Sequence, residues 1–185
     1  MWERSDAGKT GYYIPLEKYE FACKHLKGKL VADAASGCGY GTKMLSKENK
    51  VIGFDISTEA INYAKENYGG AFIQCDISRQ TFGGFDALVS IETLEHLLDP
   101  YIFLKNLEVP EIVISTTVWD GSTTHDEWHK HNFTKEQFRE MLTPKFQIIE
   151  ELEHKDLDEE YLTIYAKNLI NKTTHEYVPR IIGNN

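Results

Sequence analysis

Short apolar runs recur along the chain at 30–34, 51–54, 71–75, 85–91 and 111–117, with amphipathic or polar segments between them. That alternation predicts βαβ units. Parallel strands buried on both faces are continuously apolar rather than alternating, and Ala87, Leu88, Val89 and Ile112, Val113, Ile114 follow that rule. Ser57, with Ile56 and Ile61 as a hydrophobic staple, predicts a helix from Thr58 to about Tyr68 that Gly69 and Gly70 end. Thr134 and Gln137 form a capping box, flanked by Phe133 and Phe138, for a helix from Lys135 to about Leu142. Leu16, Tyr19, Cys23 and Leu26 fall on one face of an N-terminal helix that Pro15 can start and Gly28 can end.

After residue 142 the pattern changes. The strand-like runs 146–152 and 161–167 are joined by a short acidic loop, whereas a parallel crossover needs a dozen or more residues. These two strands therefore pair antiparallel and place a reversed strand at or near one edge of a doubly wound α/β sheet. With no internal repeat or Pro/Gly-rich linker, one domain is expected over 1–185, with 1–28 as an N-terminal lid or helix and 169–185 as a tail.

Composition narrows the chemistry. At 185 residues, 41% hydrophobic and 26% charged, the chain has the balance of a globular domain, one that buries roughly 70% of its unfolded surface. Against 29 acidic residues stand 20 basic ones, a net charge of -9, which opposes the phosphate neutralisation that nucleic-acid binding needs and favours a small-molecule partner. Cys23, Cys38 and Cys75 form no CxxC pair, so reduced thiols are expected rather than disulfides or a zinc knuckle. No apolar stretch approaches the roughly 18 residues of a membrane span, and the first residues lack a signal-peptide plan, so a cytoplasmic location is the default expectation.

The most informative segment is LVADAASGCGYG at residues 30–41, a strand with Asp33 near its end and then Ala35, Ser36, Gly37, Gly39 and Gly41. A tight strand-to-helix turn with little side-chain bulk lets backbone N–H groups approach a ligand. The dinucleotide pattern GxGxxG would put its third glycine at 42, but that residue is Thr42 and the glycine is Gly41. A carboxylate beside the loop would also repel a diphosphate and suit a cationic group. Asp55 ends the next strand, 22 residues after Asp33, where an acid can hold a ribose diol, and Asp76 ends the third, where a short polar side chain can read an adenine amino group. Taken singly, each acid can equally be a helix cap or a solvated strand end; three at successive strand ends outline an amino-acid end, a ribose and a base.

These features resemble the class I methyltransferases that use S-adenosylmethionine. The matching segments are 33–41, VIGFD at 51–55, FIQCD at 72–76, FDALVSIETLEHLLDP at 85–100, IVIST at 112–116 and the closing hairpin. The segment E-x-x-E-H-x-x-D-P (Glu92, Glu95, His96, Asp99, Pro100) is similar to that of small enzymes related to the ubiquinone-type and sugar or lipopolysaccharide-associated methyltransferases. The resemblance implies a Rossmann-like, mostly parallel seven-stranded sheet with a reversed C-terminal hairpin strand, and S-adenosyl-L-methionine as cofactor. It also implies cofactor contacts from Asp33, Ala35, Ser36, Gly37 and Gly39 at the methionine end, Asp55 and Ile56 at the ribose, Asp76 and Ile77 at the adenine, and Ile91 with Glu92 at the floor. Gly11, Tyr12 and Tyr13 either close over the cofactor as a lid, with Tyr13 in contact, or anchor the first helix.

Methyl transfer from a sulfonium needs alignment and water exclusion, and no metal. A hydroxyl acceptor gains from a base near pH 7, and His96, four residues after Glu92, can share one helical face with it toward the cleft; packing or capping is the competing role for His96. In VWDGSTTHDEWHKHNF, beyond the fifth strand, His125, His129 and His131 stand among acids and aromatics. They are expected to face the acceptor, with His96, His129 and His131 as catalytic candidates and no bound metal. The expected reaction is methyl transfer to a small-molecule or glycosyl acceptor, at oxygen, by a chain that can form a homodimer. The competing reading is a cofactor-binding module or partner subunit that does not catalyse.

Overall fold

The apolar runs that read as doubly buried strands lie at the centre of a seven-stranded sheet in the computed structural model, which describes residues 16–119, 129–156 and 159–170. Helix α1 (Leu16–His25) leads into β1 (Leu30–Ala34), α2 (Tyr40–Leu45), β2 (Lys50–Asp55), α3 (Thr58–Tyr68) and β3 (Ala71–Gln74). There follow β4 (Phe82–Gly83), β5 (Ala87–Ser90), α4 (Pro100–Lys105), β6 (Leu107–Glu108), β7 (Glu111–Val118), α5 (Lys135–Leu142), β8 (Phe146–Asp156) and β9 (Glu159–Asn168). The order β3-β2-β1-β5-β7-β9-β8 has β9 antiparallel to both its neighbours, while β1, β2, β3, β5 and β7 pair in parallel. The reversed strand and its hairpin stand as expected, each strand running further toward the connecting turn than the pattern suggests. The short pair β4 and β6 was not predicted; two residues per strand leave no periodicity to read.

Each central strand feeds both faces because successive side chains alternate. Ala32, Leu88, Ile112 and Ile114 join Phe103 of α4 and Phe138 and Leu142 of α5 on one side. Val31, Val89 and Val113 join Tyr19 and Ala22 of α1, Leu26 just after it and Leu45 of α2 on the other. Helix α5 forms for the reason the sequence predicts: Thr134 Oγ1 accepts from the Gln137 amide and the Gln137 side chain accepts from the Thr134 amide, worth about 1 kcal/mol. Fully buried Phe138 then contributes about 1.5 to 3 kcal/mol. Ser57 caps α3 in the same way, accepting from the Ala60 amide.

Helix α1 departs from its predicted face. Tyr19 and Leu26 are buried, but Leu16 is largely exposed and Lys18 is fully buried. Rotation toward Tyr19, Phe21, Ala22 and Leu26 fills the space over the sheet, and it carries the Lys18 ammonium to Glu92, with which it pairs, 3.2 Å from the Tyr161 ring centre. An ion pair plus an aromatic face makes burial of that charge tolerable; hydropathy cannot foresee a partner 74 residues away.

Candidate functional site

The chain winds outward from β1 to β2 and β3, then returns to place β5 on the other side of β1. This reversal is a topological switch point, and beyond the carboxyl ends of its strands open α/β sheets bind ligands. Two non-glycine residues with positive φ flank it: Ala35 (66°) just after β1 and Glu92 (51°) just after β5. Such backbone costs of order 1 to 3 kcal/mol per residue and clusters at binding sites.

The glycine loop is shaped from beneath. At Gly39, φ is 90° and an added Cβ would lie 2.7 Å from Ala64 Cβ and 2.8 Å from the Phe72 ring, so only glycine lets α2 start so close to α3 and β3. At Gly37 a Cβ would meet nothing within 4 Å. Packing therefore selects Gly39, while the backbone at Gly37 borders open space. Asp55 orients the loop: its carboxylate accepts from the Gly37 amide at 2.9 Å and the Ser57 amide at 2.8 Å. The two amides, one on each oxygen, fix the plane of the carboxylate. Ile56 beside it is 62% exposed, whereas Ile77 and Ile91 are buried. Ser36 Oγ is buried with no hydrogen-bond partner among the described residues. Open backbone at Gly37, an oriented acid at Asp55 and an exposed apolar face at Ile56 fit a nucleoside with a polar tail.

Asp33 and Asp76 have more structural surroundings than a ligand-facing acid needs. Asp33 is fully buried, accepting from Thr42 Oγ1 at 2.5 Å and Tyr19 Oη at 3.1 Å. Burial outweighs these two bonds and pushes its carboxyl up to about 6. It ties α1 and α2 to β1 below the loop. Asp76 caps the 3-10 turn Ile77–Arg79, taking the Ser78 amide at 3.1 Å and hydroxyl at 2.6 Å.

Across the switch point, Glu92 and His96 do not share a helical face. The backbone at Glu92 is left-handed, and only Leu94–His96 form a 3-10 turn, so the four-residue spacing has no helix to act through. Glu92 turns to Lys18 and its amide donates to Ser115 Oγ at 3.0 Å. The Asp-Pro pair begins α4, with Asp99 accepting from the Ile102 amide.

Residues 129–133 lie against the 3-10 turn. The Lys130 and His131 amides both donate to the Glu95 carbonyl, at 2.8 and 3.2 Å, and Lys130 Nζ donates to the His96 carbonyl at 2.9 Å. His131 Nε2 meets the Leu97 carbonyl at 2.9 Å and its ring stacks on Phe133, so this histidine anchors the segment. The His96 and His129 rings meet edge to face, centroids 5.0 Å apart. Beneath them Glu95, quoted in the motif but given no role from sequence, is fully buried; its carboxylate accepts from Thr116 Oγ1 at 2.9 Å and the Thr117 amide at 3.3 Å. Its position immediately before His96 was the available signal. Tyr13 and His125 lie outside the described residues. Among those described, no helix is long and apolar enough to cross a membrane.

Comparison with known proteins agrees with this geometry. The chain is 31% identical over 150 residues to a tRNA U34 carboxymethyltransferase of Alteromonas mediterranea, a match covering 66% of this chain and 45% of that protein; the chain thus spans less than half the length of this curated relative. The N-methyltransferase NodS of Bradyrhizobium japonicum WM9, solved with S-adenosyl-L-homocysteine, superposes with a TM-score of 0.69 at 18% identity, covering 83% of this chain and 85% of that one. The 1,6-didemethyltoxoflavin-N1-methyltransferase of Burkholderia thailandensis does so with a TM-score of 0.69 at 20% identity, covering 82% and 76%. Residues 32–108, which contain the glycine loop, Asp55, Asp76 and the Glu92–Asp99 segment, match the methyltransferase domain family. Residues 32–108 thus match a methyltransferase domain, and the sheet has the fold of the class I S-adenosylmethionine-dependent methyltransferases.

Proposed function

We propose that this protein transfers a methyl group from S-adenosyl-L-methionine to oxygen of a small-molecule or glycosyl acceptor. The observation that carries the reading is the two-sided switch point: an oriented acid and open glycine backbone after β1 and β2 on one side, and a pair of histidines in contact beyond β5 and β7 on the other. When bound, the sulfonium supplies an activated methyl whose carbon–sulfur electron pair stays on sulfur as the bond breaks.

The chain's own residues have separate tasks. Asp55 accepts the ribose hydroxyls in the plane that Gly37 and Ser57 set for it, and Ile56 covers the nucleoside with its exposed face. Asp76 and Ile77 border the adenine, while Gly37 and Gly39 admit the methionine end and Ile91 floors the site. Asp33 and the Lys18–Glu92 pair hold α1 against the loop. His96 and His129 take the acceptor's proton as general bases, and His131 fixes the segment that carries His129.

Calorimetry with S-adenosylhomocysteine tests the first half of this reading; Asp55→Ala should weaken binding by about 1 to 3 kcal/mol. Tight NAD binding without S-adenosylhomocysteine binding would overturn it. Incubation with methyl-labelled S-adenosylmethionine and separate pools of metabolites, glycosides and tRNA tests the second. Label on oxygen of a small or glycosidic product is expected, and label on tRNA alone would reassign the acceptor.

A further inference from the structure

We infer that Glu95, His96 and His129 form a site for a single divalent transition-metal ion with coordination positions open to an oxygen ligand. Their ligand atoms all lie within 4.8 Å of one another, at the carboxyl end of β5 beside Ile91 and Glu92. Ligands of a tetrahedral zinc stand roughly 3.3 to 3.6 Å apart, given metal–ligand lengths of about 2.0 to 2.2 Å. The three atoms would close by about 1 Å on binding, and the two imidazoles are half-buried and the side chains with room to turn.

Three further observations point the same way. Glu95 is fully buried, and among the described residues its carboxylate meets a hydroxyl and an amide but no cation. A buried carboxylate without opposite charge is costly, and an ion seated between it and the two imidazoles supplies that charge. Thr116 Oγ1 and the Thr117 amide fix the carboxylate plane, as the outer hydrogen bonds of metal-ligating carboxylates do. The backbone bonds from Lys130 and His131 to the Glu95 carbonyl bring His129 into register with Glu95 and His96, although it lies more than 30 residues away in the chain.

Two imidazoles and a carboxylate suit zinc, manganese, iron or cobalt in the divalent state, and three protein ligands leave room for one or more exogenous oxygens. An acceptor hydroxyl is one such ligand; with the ion seated, the two imidazoles serve as its ligands in place of acting as free bases, and the ion would acidify the hydroxyl so that its proton passes to solvent. That last step deepens the oxygen-acceptor reading above and rests on it; metal binding itself requires neither cofactor nor acceptor and can be measured without them.

The test is titration of the metal-stripped full chain with Co2+, followed by visible absorption and calorimetry, then displacement by Zn2+. One Co2+ per chain is expected, with new visible bands that Zn2+ abolishes. His96→Ala and His129→Ala, both at half-buried positions, should each weaken binding about tenfold or more. His154→Ala, at a histidine paired with Glu17 on another part of the surface, should leave it unchanged. Absence of Co2+ binding, or binding that both site variants leave intact, overturns the inference and does not bear on S-adenosylhomocysteine affinity or label transfer.

Discussion

On the β3-β2-β1 side of the switch point, site residues find most of their partners nearby in the chain: Asp55 holds Ser57 and Gly37, Asp76 holds Ser78, and Asp33 holds Thr42 and Tyr19, at separations of 2 to 18 residues. On the β5-β7 side the partners are distant. Glu95 meets Thr116 across 21 residues, His131 meets Leu97 across 34, and Glu92 meets Lys18 across 74. The first half is a local device that a short motif can encode; the second exists only after strands and loops have been brought together. The two halves should accordingly fail in different ways.

The largest effect is expected in the local half. Gly39→Ala introduces a Cβ against Ala64 and Phe72 at a left-handed position, and strain plus overpacking should cost about 2 to 5 kcal/mol. Thermal melts with and without S-adenosylhomocysteine check this, and a variant that melts and binds like the wild type would show that the loop is not held from beneath.

Next is Asp33, whose folded carboxyl at about 6 stands above its ordinary value of 3.8. Below about pH 4 it is protonated in both folded and unfolded chains; between 4 and 6 the folded chain keeps the proton and the unfolded chain does not. Its neutral form thus contributes stability that is fully present at low pH and lost as pH rises through about 6, on the order of 3 kcal/mol. Asp33→Asn removes this decline. Urea unfolding at pH 4 and pH 7 should show the wild type losing that much more than the variant, and parallel profiles would rule the linkage out.

In the distant half, Thr116→Val leaves one oxygen of buried Glu95 without its hydroxyl donor, a loss of about 1 to 3 kcal/mol in chemical denaturation. Homocysteine-cofactor affinity should remain within about twofold, because the change lies across the switch point from Asp55, and the two sites share no partner. A large fall in that affinity would mean that the halves are coupled. The smallest effect belongs to Ser57→Ala, which loses the α3 cap for about 1 kcal/mol, with a slight weakening of cofactor binding through the same turn.

The contrast explains what was legible. Helices α3 and α5 match their predicted bounds because caps and staples act within four residues, and the positions of the buried strands follow from continuous apolar runs. The glycine turn after β1 and the end of β2 at Asp55 were readable for the same reason. Lys18 was missed because a lysine in an apolar stripe reads as solvent-facing unless its partner is known. Glu92 was assigned a helical neighbour in His96, but its φ of 51° breaks the helix on which that spacing depends.

Sequence alone determined the alternation of strands and helices, the reversed C-terminal hairpin, the glycine loop and the acids at successive strand ends, since periodicity, capping and turn chemistry are local properties of a chain. Tertiary structure decided which of those acids is turned inward, that Lys18 is buried against Glu92, and that residues 129–133 dock on Glu95 to set His129 beside His96. Those outcomes depend on burial and on hydrogen bonds between segments far apart in sequence, and neither exists until the sheet has formed.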